Sequence, residues 1–149
     1  QRIEDLGRKH IWANGWECDH GTGHGVGSYL HVHEGPQRIN KTNDVVFDVG
    51  HVNSCEPGVY FEEVFGVRLE NVMTVAPAES GPFGEFLAFE TLTLCPFDRD
   101  LIDPALLTAQ EVAWLDAYHH RVREALSPLL PEEVRAWLVG RTAPLGTLS

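Results

Sequence analysis

HGTGHGVG, residues 20–27, sets His20 and His24 among four glycines. Glycine lets the backbone fold tightly, so such a stretch can bring ring nitrogens close to a site. The sequence around it reads as β-rich. YLHVH at 29–33 alternates as a short strand does, and 34–50 is polar and turn-like, with Gly35, Pro36, Asn40 and Asn43. Residues 51–56 predict a strand ending in the turn Glu56-Pro57-Gly58. FGVRLENVMTV at 65–75 alternates again, with Val67 and Leu69 on one face and Arg68 and Glu70 on the other; EFLAFETLTL at 85–94 is a further strand.

Helical signals flank this region. Ile3, Leu6 and Ile11 have helical spacing over 3–13, and Gly15 stands where the helix would stop. After Pro96 the character changes. Thr108 and Glu111 form a T-x-x-E capping box ahead of a helix whose apolar face is Val112, Leu115, Tyr118, Val122 and Leu126. A shorter helix starts at Pro131 and stops at Gly140. The expected layout is α+β: a β-rich part over 1–93 and a small, mainly helical subdomain over 94–149.

Bulk properties narrow the function. The 149 residues, 43% of them hydrophobic, are enough for a real core. A formal net charge of −11 excludes nucleic acid as the partner, because phosphate binding needs a basic face. No apolar run is long enough to span a membrane. Cys18, Cys55 and Cys95 are odd in number and widely spaced, which argues against a disulfide framework and for a reducing cytoplasm. The N-terminus lacks Met and any leader pattern and reads as starting partway along a helix, as a piece of a longer protein would.

His20, His24, His31, His33 and His51 crowd into one window. Each alone is more often structural than a ligand; their setting changes that. Glu56 is fixed at the start of a rigid turn. Glu70, read as mid-strand between apolar neighbours, would be costly to bury without a cation. One imidazole with two carboxylates suits Mn²⁺, Co²⁺ or Zn²⁺. Three such groups fall short of a dinuclear site.

The ordered set HGTGHGVG, VHEGP, EPGVY and RLENV resembles the pita-bread metallopeptidases, the superfamily of methionine aminopeptidase, prolidase, creatinase and aminopeptidase P. FETLTLCP, LLTAQEVAWLDAYHHRV and WLVGRTAPL resemble the C-terminal extension of the long, three-domain aminopeptidase P type. The resemblance implies the C-terminal half of a pita-bread fold with a small helical extension. It implies two divalent ions in the complete enzyme, Mn²⁺ first, and cleavage between an N-terminal residue and a following proline by a metal-bridging hydroxide. His24, Glu56 and Glu70 then correspond to metal ligands, Glu56 also handling a proton. His20 corresponds to a pocket histidine, His33 to the group that stabilises the tetrahedral intermediate, and Arg68 to an arginine beside the bridging carboxylate. The expected partners are a peptide with proline second and, at full length, a second copy of the chain. The family's two aspartate ligands lie upstream of the glycine-rich motif, and no D-x-G…D arrangement precedes His20. The chain alone is therefore expected to be inactive. The alternatives are a prolidase-like dipeptidase, which usually lacks the tail, and a non-catalytic binding or dimerisation module, against which the intact His24, Glu56 and Glu70 argue.

Overall fold

The computed structural model describes residues 2–29 and 31–145. Contacts divide the chain into two units, Gln1–Thr93 and Leu94–Ser149.

The first unit opens with helix α1, Arg2–Ala13. Among its described side chains the buried one is Glu4, with Ile3 and Leu6 exposed and Ile11 half-buried, so the expected apolar face is not what docks it. Glu4 instead pairs with Arg8 one turn on, at 2.7 Å. Arg8 also donates to the carbonyls of Cys18 and His20, each at 2.5 Å, and so ties the helix to the segment that enters the glycine-rich stretch.

Among the described residues seven short strands follow: β1 Gly23–His24, β2 Arg38–Ile39, β3 Val52–Cys55, β4 Gly58–Phe61, β5 Phe65–Arg68, β6 Asn71–Pro77 and β7 Leu87–Thr91. β1 and β2 pair antiparallel, β4 and β5 form a hairpin, and β3, β6 and β7 make an antiparallel sheet with β6 in the middle. A bridge between Gly25 and Asn53 links the β1 segment to β3. Inside this unit lie Cys18, Thr22, Ile39, Asn53, Ser54 and Val75.

Two strand expectations fail. Tyr29 and residues 31–33 are an exposed loop, while Leu30 lies outside the described residues. Alternation there has no neighbouring strand to satisfy it. The stretch 65–75 is not one strand either: Leu69 and Glu70 break it, the Leu69 N–H donating to the Pro57 carbonyl at 3.2 Å rather than to a sheet partner. Glu70 is therefore not a mid-strand residue, and it is exposed.

In the second unit, helix α2 spans Ala109–Leu126 and starts with the complete Thr108–Glu111 capping box. Helix α3 spans Glu132–Arg141, with Pro131 as its cap and Gly140 inside its last turn rather than beyond it. The core is Leu115, Tyr118, Val122, Leu138 and Leu145, with Phe97, Ile102, Leu107 and Val112 packed against it. His119 is buried here as well; its Nε2 accepts the Phe97 N–H at 3.1 Å. No helix among the described residues is long and apolar enough to cross a membrane.

Candidate metal centre

Glycine spacing builds the site. A Cβ on Gly23 would strike the Ser54 carbonyl oxygen, and one on Gly25 would strike that of Glu34. Only glycines let β1 lie this close to β3 and to the 34–36 turn. His24, between them, is presented into a cavity of about 450 Å³ lined also by His20, His33, Glu34, Arg38, Glu56 and Arg68.

His24 is held at three points. Its backbone N–H donates to Ser54 Oγ at 3.0 Å, its Nδ1–H donates to the Gly25 carbonyl at 2.9 Å, and its Nε2 lies 3.0 Å from Glu56 Oε1. Glu56 is buried. Its Oε1 accepts from Ser54 Oγ–H at 3.0 Å and its Oε2 from Arg68 at 3.2 Å, while its backbone N–H donates to Thr22 at 2.7 Å. The Ser54 hydroxyl thus joins β1 to the Glu56 side chain just beyond β3.

A second chain of bonds runs alongside. Arg68 Nε–H donates to Tyr60 Oη at 2.8 Å, and Tyr60 O–H donates to His20 Nε2 at 2.7 Å. His20 Nδ1–H donates to the Gly21 carbonyl at 2.8 Å. The Tyr60 hydrogen bond, with the Glu56 and Glu70 charges behind it, raises the Arg68 pKa, so this exposed guanidinium stays charged. His33 sits on the exposed loop with its ring centroid 4.2 Å from that of His24.

Five of the six anticipated residues therefore line one cavity: His20, His24, His33, Glu56 and Arg68. Glu70 does not. It lies in the β5–β6 link in solvent, close enough for its charge, after burial and Glu56, to help push up the Cys55 thiol. Among the described residues no three His, Cys, Asp or Glu side chains are grouped as a ready metal site. His31 pairs loosely with Glu34 at 3.5 Å, His51 accepts the Asp48 N–H at 3.2 Å, and His120 lies beside Arg123, all structural settings. Ser54 and Tyr60 are contributors not anticipated from the sequence. Their signals were Ser54 two places before Glu56, hence on the same side of a strand, and Tyr60 inside EPGVY.

The residues fit a divalent cation. With Nδ1–H given to a backbone carbonyl, His24 turns Nε2 toward a carboxylate oxygen 3.0 Å away. A positive species between the two, a metal ion or a proton, suits that pair, and the carbonyl-anchored imidazole is the arrangement metal-binding histidines adopt.

This fold is that of part of a pita-bread metallopeptidase. The chain belongs to metallopeptidase family M24: residues 1–77 match that family's model, and residues 85–145 match the C-terminal region of peptidase M24. Within the family the similarity is to aminopeptidases P. The chain is 42% identical over 149 residues to aminopeptidase P1 of Lotus japonicus, covering 97% of this chain and 23% of that protein. It is 42% identical over 151 residues to a probable Xaa-Pro aminopeptidase P of Colletotrichum graminicola, covering 96% and 24%. The X-prolyl aminopeptidase of Caenorhabditis elegans, described as a cytosolic enzyme with a di-nuclear active site, superposes with a TM-score of 0.86 at 36% identity, over 97% of this chain and 24% of that one. The chain spans about a quarter of the length of the relatives it matches.

Proposed function

We propose that this chain supplies the His24–Glu56 share of the active site of a Xaa-Pro aminopeptidase, which hydrolyses the bond between an N-terminal residue and a following proline. The observation that carries the reading is the His24–Glu56 contact at 3.0 Å, with His24 Nδ1–H anchored on Gly25. His24 and Glu56 hold metal, joined by Glu70 from the β5–β6 link and by carboxylates from polypeptide beyond these residues. The complete site takes two divalent ions, Mn²⁺ before Co²⁺ or Zn²⁺; when bound they make a nucleophilic water available near neutral pH.

The chain's own groups do the rest. Arg68 and Ser54 fix both oxygens of Glu56, so that Glu56 is aimed when it hands a proton to the departing proline nitrogen. His33, on its exposed loop beside His24, donates to the scissile carbonyl as negative charge builds on it. His20, hydrogen-bonded at Nε2 to Tyr60, forms a wall of the substrate cavity. Residues 94–149 form the helical extension, and its exposed Trp114 and Trp137 support a homodimer of the complete enzyme, working in the cytoplasm.

The test compares variants of the complete enzyme. His24→Ala and Glu70→Ala should lose most bound metal and nearly all turnover of an Xaa-Pro peptide. His33→Ala should keep near-normal metal and lose turnover alone, because it acts only as charge develops. Metal loss in the His33 variant would contradict its role.

A further inference from the structure

Arg38 is the cationic side chain in the cavity that this mechanism leaves unused. It stands directly opposite His24 in the β1–β2 ladder, whose register pairs His24 with Arg38 and Gly23 with Ile39. Directly opposed residues of an antiparallel pair project from the same face. That face carries His24 into the cavity, and Arg38 lines the same cavity; Ile39 turns the other way and is buried. The cavity's other guanidinium, Arg68, is committed to Glu56 and Tyr60. Of the two acids, Glu56 is met by Arg68 and Glu34 faces His31. Among the described residues the Arg38 side chain has no hydrogen bond or ion pair, although the chain as a whole carries a net charge of −11. An exposed, uncompensated guanidinium beside a metal ligand lacks an anion, and its planar fork matches a carboxylate.

We infer that Arg38 is a specificity residue that takes a carboxylate on the leaving side of the peptide, so that short peptides with a nearby negative charge are preferred. The inference rests on the peptidase reading and deepens it. The carboxylate can be the C-terminus of a tripeptide or the acidic side chain of its third residue.

The experiment measures kcat/KM of the complete Mn²⁺-loaded enzyme, wild type, Arg38→Gln and Arg38→Lys, on Ala-Pro-Ala as free acid and as amide. A second pair, Ala-Pro-Glu amide against Ala-Pro-Gln amide, separates the side-chain source from the C-terminal one. The wild type should favour the charged member of at least one pair about tenfold, the scale of one charge-assisted contact at a partly solvated site. Arg38→Gln should abolish that preference, Arg38→Lys should keep part of it, and added salt should shrink it in the wild type. No preference in the wild type, or one unchanged in Arg38→Gln, overturns the inference. If none of these peptides is cleaved, the peptidase reading fails, and calorimetric titration with the same pairs decides this inference separately. Charge-dependent binding lost in Arg38→Gln upholds it, and equal affinity for both members overturns it.

Discussion

Ser54 links His24 and Glu56 with one hydroxyl, accepting from the first's backbone and donating to the second's carboxylate. Deleting that hydroxyl leaves the part-buried His24 N–H without its partner and takes one donor from Glu56 Oε1, so Ser54→Ala should lower stability by about 1–3 kcal/mol. It should also weaken metal binding, whereas Ser54→Thr keeps both bonds. Chemical denaturation beside metal titration checks this, and unaltered metal affinity in Ser54→Ala would count against the linkage. His119 makes a separate prediction. Burial, with Arg99 and Arg123 nearby, lowers its pKa below the ordinary histidine value, against a smaller opposing pull from Asp116. The unfolded chain then binds more protons than the folded one just below pH 6.5, so this contribution is complete above that pH and is lost as pH falls through the window. Melting of the protein between pH 5 and 8 should show the drop, and His119→Gln should flatten it. At this scale the site was largely legible, because glycines bracketing a histidine and Pro-Gly after a glutamate limit where a side chain can go. The solvent position of Glu70 was not, since nothing in RLENV reveals that Leu69 leaves the sheet to bond Pro57.

Helix α2 is the element the sequence describes most fully, for its start and buried face are both local properties. Thr108 Oγ1 accepts the Glu111 N–H at 3.3 Å, and the Glu111 carboxylate accepts the Thr108 N–H at 2.7 Å. Thr108→Ala should cost about 1 kcal/mol, read as a lower melting temperature with helix content otherwise kept. The strands were less legible because alternation reports a face and not a partner. FGVRLENVMTV alternates throughout, yet β5 pairs back on β4 and β6 joins β3 and β7. The β4–β5 hairpin was hidden for the same reason, its first strand looking like the end of a turn. Gly23→Ala tests the β1–β3 approach directly. The new methyl meets the Ser54 backbone oxygen, which cannot swing aside, so this variant should be destabilised far more than Gly140→Ala, whose Cβ enters open space.

At the scale of the whole molecule, the chain carries a family M24 match along most of its length and spans about a quarter of its relatives. These residues are proposed to bring part of a metal site, centred on His24 and Glu56, and not a complete one. Two donors meeting in a cavity, with Glu70 outside it, should hold at most one divalent ion weakly. One weakly held ion leaves most copies of the chain without an activated water, so the 149 residues by themselves should not cleave Xaa-Pro peptides. The most direct measurement is a calorimetric Mn²⁺ titration of these 149 residues beside their His24→Ala variant. The expected result is a single weak site that disappears with His24; two tight sites, or binding indifferent to His24→Ala, would overturn the partial-site reading.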